Sequence, residues 1–247
     1  MGARVAVLLT LLATFIVAAS PAFAGAEGSV ITWQAPATIS GDSDVSTAGS
    51  LVAAFNMFGP SVNVNGVTFA PFSVTGGSTS ASNGNFTFNE SPGILTPNSN
   101  LGSASAPFAN LSANYQSLLS TAISTSDNNT LTLTMNNLTP GLTYQFQFWT
   151  NASTFSPNVG FDTTASSPLP VTLDSNTSNA NGGVGQYVIG TFFCADPAQI
   201  ITFNGTNSTQ APTVNAFQLR VVPEPSSICL LLAGTISLGA LGRRRRR

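Results

Sequence analysis

Apolar residues recur with a period of two along most of this chain, and that alternation limits the fold more than any other feature of the sequence. Leu131, Leu133 and Met135 alternate with threonines, so one side of the segment suits a core and the other suits water. Between residues 26 and 221 no segment carries apolar residues at helical spacing over three turns, and a single helical turn is predicted at 113–123. The body is therefore predicted to be all-β.

Turn signals divide the alternating segments into short strands. Asn65 and Gly66 lie between two such segments, and both residues accept the positive φ that a type I′ hairpin turn requires. Further strands are predicted at residues 29–33, 51–56, 86–88, 144–150, 171–173, 187–194, 199–203 and 214–222. About ten short strands in roughly 200 residues favour a two-sheet β-sandwich.

Charged side chains are scarce, and their distribution excludes two classes of function. The chain has seven Arg, no Lys and no His, and Arg220 is the one cation in a body that carries eight carboxylates. Duplex binding needs clustered cations, so nucleic acid is excluded as a partner of the body. Without imidazole or amine side chains the usual proton-transfer groups are missing, so we expect a non-catalytic module and no enzyme.

The N-terminal residues 1–24 have the three parts of a secretory signal peptide. Arg4 precedes an uncharged apolar run at 5–19, and small residues follow at Ala22 and Ala24. Cleavage is expected after Ala24, with Ala26 as an alternative, and a retained N-terminal anchor is the other interpretation. The predicted β-sandwich domain then covers residues 25–221.

The C-terminal residues 222–247 also divide into three parts. The triplet Pro223, Glu224 and Pro225 leads into the uncharged stretch 226–242, and the chain ends in Arg243, Arg244, Arg245, Arg246 and Arg247. Seventeen residues of helix span about 25 Å, the short limit for a transmembrane helix. Positive residues stay on the cytoplasmic side, so the body is expected on the other side of the membrane.

This tail resembles the PEP-CTERM sorting signal of exported bacterial proteins in the order, spacing and terminal position of its parts. The resemblance implies that a membrane-embedded exosortase recognises the tail and cleaves near the triplet, commonly in bacteria that produce exopolysaccharide. The protein would then be membrane-anchored before processing and reach the cell envelope or the extracellular matrix afterwards. A plain C-terminal anchor is the alternative.

Two weaker resemblances concern the body. Residues 185–192, 200–203 and 214–219 are similar to the end of galactose-binding-like jelly-roll domains, whereas residues 138–144 resemble a corner of fibronectin-like sandwiches. The body is about twice the length of one fibronectin module and shows no repeat at that spacing. We therefore expect a jelly-roll-like sandwich.

The strand predicted at 144–150 carries the candidate sugar-binding residues. If its alternate aromatic residues face the core, then Gln145, Gln147 and Trp149 line the opposite face. An indole beside two amides is suited to stacking on a sugar ring and hydrogen-bonding to its hydroxyl groups. The alternative is that Trp149 packs beneath a loop.

One metal site and one free thiol are predicted. Asp42 and Asp44 flank Ser43 and could supply carboxylate oxygens to a structural calcium, which takes six to eight such ligands; a solvated turn is the alternative. No other cofactor is expected. Cys229 lies in the apolar tail, so Cys194 is predicted to be a buried, unpaired thiol.

These observations favour an exported, non-catalytic surface or matrix protein that binds or organises polysaccharide. A purely structural protein that self-associates is the second hypothesis. The third is a glycosidase that uses two of the four residues Asp127, Asp162, Asp174 and Asp196. It would require paired carboxyl groups about 5 to 9.5 Å apart.

Overall fold

A computed structural model describes residues 29–125, 129–154, 161–207 and 210–223. The predicted signal peptide at 1–24, the stretch 226–242 and the arginines lie outside these residues. Within the described part, no helix has the length and apolar character needed to cross a membrane.

The described chain is mostly β, as the alternation predicts, with little helix. Its strands are β1 (Thr32–Trp33), β2 (Ala37–Thr38), β3 (Ser50–Met57), β4 (Val62–Val64), β5 (Val67–Phe72), β6 (Ser80–Asn83), β7 (Phe86–Ser91), β8 (Thr96–Asn98), β9 (Ala122–Ser124), β10 (Thr130–Met135), β11 (Thr143–Thr150), β12 (Thr163–Ser167), β13 (Leu169–Leu173), β14 (Gln186–Phe193), β15 (Gln199–Gly205), β16 (Thr213–Val214) and β17 (Ala216–Val222). Helix α1 spans Ala113–Leu119, and 3-10 turns occur at Asp42–Asp44 and Phe108–Asn110.

The strands form two large sheets and one small sheet in a sandwich-like arrangement. The eight-stranded sheet has the order β1-β14-β11-β17-β3-β5-β4, with β2 also paired to β14, and the six-stranded sheet has the order β13-β12-β15-β10-β7-β6. A small sheet joins β16, β9 and β8. Neighbours are antiparallel except β3 and β5, which run parallel.

The main core lies between the two large sheets and is rich in phenylalanine. Phe148 of β11 meets Phe203 of β15 edge to face at 5.2 Å between ring centroids. Phe217 of β17 lies 5.9 Å from Phe88 of β7. Each such pair contributes about 0.5–1.5 kcal/mol beyond the area that it buries.

A second core covers the outer face of the eight-stranded sheet. Trp149 and Ala216 of the sheet pack there against Phe69 of β5 and against Tyr115 and Leu118 of α1. Strand β11 is consequently buried on both faces along most of its length. The alternation of its sequence shows which residues share a face, but not that both faces are covered.

Two locally encoded elements form where the sequence predicts them. Asn65 and Gly66 have φ values of 50° and 76° in the turn between β4 and β5, as a type I′ hairpin turn requires. Helix α1 begins after Ser112, whose side chain accepts a 3.2 Å hydrogen bond from the backbone N–H of Tyr115. The helix ends at Leu119 and not at 123, because residues 122–124 pair as β9.

Candidate functional site

The predicted sugar-binding face is closed. Trp149 and Gln147 have no exposed surface, and the Trp149 ring lies edge to face against Phe69, 5.7 Å away between centroids. Its indole N–H donates a 2.8 Å hydrogen bond to the Tyr115 hydroxyl. A sugar ring has no access to the indole, so the prediction of an open platform at Gln145, Gln147 and Trp149 is wrong.

Gln145 and Gln147 form hydrogen bonds with a segment of the protein chain and not with a ligand. Gln147 donates from Nε2 to the Asp44 carbonyl at 2.6 Å, and its Oε1 accepts from the Ser46 backbone N–H at 3.0 Å. Gln145, which is half-buried, accepts from the Ser46 hydroxyl at 2.6 Å. Gln218 of the neighbouring strand donates to Gln147 at 2.6 Å. These amides bind the segment 44–46 across the sheet.

Arg220 extends the same network toward the end of the sheet. Its guanidinium donates to the carbonyls of Ala48 (2.6 Å), Thr47 (3.2 Å) and Gly49 (3.0 Å), and to Oε1 of Gln218 (3.2 Å). All four partners are neutral oxygen atoms. Only 6% of the residue is exposed, and burial lowers the pKa of the guanidinium below its usual value. The cation therefore fastens the segment 47–49.

The carboxylate of Asp44, the second residue of the predicted calcium pair, accepts hydrogen bonds from other groups of the protein. It accepts from the backbone N–H groups of Ser40 and Gly41 at 2.7 and 3.0 Å, from the Ser40 hydroxyl at 2.7 Å and from the Tyr115 hydroxyl at 3.2 Å. Asp42 accepts from the Ser112 hydroxyl at 2.6 Å. These bonds cap the turn and join it to α1.

Both aspartates thus stabilise the turn through hydrogen bonds that involve no ion. Across the described residues, no three His, Cys, Asp or Glu side chains are grouped closely enough to hold a metal. Asp42 and Asp44 lie in the same turn and are separated by Ser43. The calcium site stays a prediction.

Of the four carboxylates considered for a glycosidase, two come together. Asp162 accepts from the backbone N–H and the hydroxyl of Ser175 at 2.9 and 3.0 Å, and Asp174 accepts from the Asn176 backbone N–H at 2.7 Å. Burial raises the pKa of Asp174, and the Asp162 charge raises it further.

Asp196 does not join this pair. Asp174 adjoins Gln186, where β14 begins, whereas Asp196 follows the end of that strand at Phe193. Eight residues of strand separate the two by roughly 23 Å, beyond the spacing that a glycosidase needs. Asp127 lies outside the described residues.

Cys194 is buried, as predicted. The residue is 1% exposed, is a free thiol and donates from Sγ to the Asp196 carbonyl at 3.0 Å. Burial raises the pKa of the thiol, and the Asp196 charge adds to that effect. A neutral, enclosed thiol is a poor nucleophile.

A cleft beside Phe58 was not among the sites predicted from the sequence. This residue follows β3, has a φ of 57° and exposes 43% of its surface. Bulky residues rarely adopt a positive φ, and doing so costs about 1–3 kcal/mol. The adjoining cleft has a volume of about 170 Å³ and is lined by Phe58, Gly59, Pro71, Phe72, Ser73 and Val74.

A hydrogen bond and a steric requirement for glycine fix the conformation at this cleft. The Phe58 backbone N–H donates to the Phe72 carbonyl at 3.0 Å. A Cβ atom on Gly59 would collide with the side chain of Asn56, so only glycine fits there. An exposed aromatic ring beside the Ser73 hydroxyl is suited to contact with a sugar ring. The only sequence signal is an aromatic residue before Gly59-Pro60.

The sorting residues begin directly at the end of the sheet. Val222 is the last residue of β17, and Pro223 is exposed next to it. Glu224, Pro225 and the arginines lie outside the described residues. Because β17 ends at Val222, a cut after Pro223 would remove no residue of the sheet.

Comparisons with known proteins identify the tail. The model of the PEP-CTERM protein-sorting motif matches residues 221–247. No curated protein matches the chain. Among solved structures, an exo-beta-1,3-galactanase from Phanerochaete chrysosporium, in complex with beta-1,3-galactotriose, is 18% identical over 64% of this chain and 32% of its own, with a TM-score of 0.29.

A second solved structure concerns carbohydrate-binding modules of the beta-sandwich super family. It is 11% identical over 59% of this chain and 66% of its own, with a TM-score of 0.17. The chain thus matches about a third of the galactanase's length, and neither likeness supports a conclusion on function. The chain carries a PEP-CTERM sorting signal at 221–247, which marks it as an exported protein whose precursor is processed by an exosortase.

Proposed function

We propose that this protein is an exported, non-enzymatic β-sandwich, jelly-roll-like in architecture, that binds or organises polysaccharide at the cell envelope or in the extracellular matrix. The observation that carries the proposal is the sorting signal, which follows the last strand of the body without a linker. The producing cell would be a bacterium that makes exopolysaccharide.

Delivery uses both ends of the chain. Residues 1–24 act as a signal peptide, and residues 226–242 form a transmembrane helix whose arginines stay in the cytoplasm. An exosortase reads Pro223, Glu224 and Pro225 and cuts near them. The exposure of Pro223 beside the sheet supports access of the enzyme.

Polysaccharide contact is made at the cleft beside Phe58. Its ring is exposed and held in a costly backbone conformation, which is typical of residues positioned for a ligand. Ser73 offers a hydroxyl and Pro71 an apolar wall. This cleft replaces the closed face at Trp149 as the candidate site.

A non-catalytic role is supported by the chemistry of the side chains. The chain contains neither His nor Lys, so a general base would have to be a carboxylate. Asp44 and Asp162 accept several hydrogen bonds each from neighbouring groups. Their oxygens are engaged in holding turns.

The test is retention on polysaccharide. The mature protein is applied to a glycan array and to polysaccharide extracted from the producing culture, next to Phe58→Ala and the control Ile94→Ala. Ile94 is exposed to a similar extent, at 47%. We expect retention of the parent protein and the control but not of Phe58→Ala. Absence of retention for all three would contradict a binding role.

Self-association is the second candidate function, and one edge strand favours it. Strand β13 lies at the edge of the six-stranded sheet, and Leu169 at its start exposes 56% of its surface. Exposed apolar edges promote pairing between copies. Sedimentation without ligand separates the alternatives, because a monomer at high concentration excludes assembly. A glycosidase using Asp162 and Asp174 is the third candidate, tested by hydrolysis of the same polysaccharide.

A further inference from the structure

Exposed apolar side chains cluster at one end of the eight-stranded sheet. Eight large apolar residues in the described chain are exposed. Five of them form what we call the apolar rim: Val30 (52%), Leu51 (43%), Val52 (46%), Leu142 (37%) and Phe193 (52%). Phe58 and Ile94 lie at the opposite end, where β3 and β7 finish, and Leu169 lies at the turn between β12 and β13.

The strand register places the rim residues side by side. Thr143 pairs with Phe193 on one side and with Val222 on the other, so the three share one row. Leu51 pairs with Arg220, two residues before that row.

Two further residues lie at the same end of the sheet. The pairing of Thr32 with Thr191 brings Val30 to the level of Phe193, and Leu142 precedes Thr143 directly. Neighbouring strands are about 4.8 Å apart, so the rim extends roughly 19 Å from β1 to β3.

The rim surrounds the point where the chain leaves the sheet toward its tail. Strand β17 ends at Val222, and the uncharged stretch starts at Ser226. Four residue steps span no more than about 14 Å even when fully extended. A tail that crosses the membrane from Ser226 onward therefore holds the rim within reach of the lipid headgroups.

Carboxylates lie at both ends of the sheet. Asp174 adjoins Gln186, where β14 begins, and Glu90 pairs with Leu131, near the start of β10. Both lie at the end away from the rim, whereas Asp196 follows β14 on the rim side. The carboxylates therefore give no preference between the two ends of the sheet, and contact of the rim with lipid is supported by its exposed apolar side chains and by the short distance to the tail.

We propose that the apolar rim rests on the phospholipid bilayer surface while the precursor is anchored by its tail, which holds the sandwich upright on the membrane. In this orientation the Phe58 cleft points away from the lipid, because β3 starts at the rim and ends at the cleft. The rim keeps the triplet at 223–225 close to the membrane face, where an exosortase cuts. The inference rests on the membrane-spanning tail of the proposed function.

The test uses the full chain in vesicles of phosphatidylethanolamine and phosphatidylglycerol. An environment-sensitive fluorophore is attached to Leu51→Cys or Leu142→Cys in the rim, or to the control Ile94→Cys, each combined with Cys229→Ser. Cys194 is retained because it is buried. We expect blue-shifted emission and quenching by nitroxide-labelled lipids at 51 and 142, and neither change at 94.

Vesicle flotation separates this inference from the proposed function. Protein that floats with the vesicles while the labels at 51 and 142 remain aqueous retains its anchor and overturns the rim contact. Protein that does not float overturns the anchor and with it the inference. A blue shift at 51 and 142 that grows with protein density and is insensitive to nitroxide lipids identifies a second copy as the occupant and also overturns the bilayer contact.

Discussion

The Trp149 indole nitrogen donates a 2.8 Å hydrogen bond to the Tyr115 hydroxyl. Tyr115 in turn donates to the Asp44 carboxylate at 3.2 Å, so three groups connect β11, α1 and the turn before β3. The connection fixes the cover over the outer face of the eight-stranded sheet. An indole predicted to meet a ligand is therefore part of the fold.

Trp149→Phe should destabilise the protein without affecting the binding of polysaccharide. We expect the free energy of unfolding to fall by about 1–3 kcal/mol, because the buried Tyr115 hydroxyl loses a donor. Urea denaturation measures this loss. Polysaccharide retention under native conditions should not change, since Trp149 has no exposed surface. A variant with normal stability and no retention would show that the indole contacts the ligand.

Alkaline pH should weaken the packing of α1 and the turn before β3 over the outer face of the eight-stranded sheet. Burial raises the pKa of Tyr115 well above its usual value, and the Asp44 charge raises it further. The phenol of the unfolded chain ionises near pH 10, so above that pH the unfolded state binds fewer protons than the folded state. The free energy of unfolding therefore falls as pH rises past about 10.

Tyr115→Phe removes the titrating group and tests this effect. We expect the variant to lose less stability than the parent between about pH 9 and 11, measured by urea unfolding at each pH. A residual slope is expected from Tyr187, whose pKa burial also raises. Identical slopes in both proteins would contradict the assignment.

Strand β11 shows which structural features could be predicted from the sequence and which could not. Alternation assigns Trp149 and Gln147 to one face, and this is confirmed. What covers that face depends on Phe69 and Tyr115, which are distant in sequence, and no local pattern encodes such a contact. By contrast, the Asn65-Gly66 turn depends only on the φ preferences of its own residues, so the sequence predicted it fully.

The candidate site was less predictable for a related reason. The cleft at Phe58 depends on a parallel pairing of β3 with β5, which brings Met57 opposite Phe72. Parallel neighbours are joined by longer connections than hairpins, so their register cannot be deduced from a turn. The positive φ of Phe58 also conflicts with the usual preference of a bulky residue.

Arg220→Ala should loosen the segment 47–49. The substitution leaves the carbonyls of Thr47, Ala48 and Gly49 without their guanidinium donor, and we expect a loss of about 2–4 kcal/mol in unfolding free energy. Arg220→Lys is the matched control, since a single ammonium keeps the charge but not the fork of donors. Limited proteolysis should cleave the Arg220→Ala variant near residues 47–49 sooner than it cleaves the parent protein there. Parent-like cleavage would argue against this role.

Asp174→Asn should stabilise the protein slightly at neutral pH. The raised pKa of Asp174 means that its ionised form is disfavoured in the fold, by burial first and by Asp162 second. The amide oxygen can still accept from the Asn176 N–H. Because the side chain is partly exposed, we expect a gain of less than about 1 kcal/mol after solvent screening. The gain should disappear at a pH below the pKa of the unfolded carboxyl, where both states are protonated.

Phe58→Asn should separate ligand binding from stability at the cleft. Asparagine adopts a positive φ more readily than phenylalanine, so the backbone cost of holding φ at 57° is reduced. We expect the free energy of unfolding to rise by up to about 1 kcal/mol, since relief of the backbone strain should exceed the packing lost from a residue that is 43% exposed. Retention on polysaccharide should be lost at the same time, because the amide offers no ring face to a sugar. A stabilised variant that still binds would assign recognition elsewhere, and a destabilised one would show that the ring is held for packing.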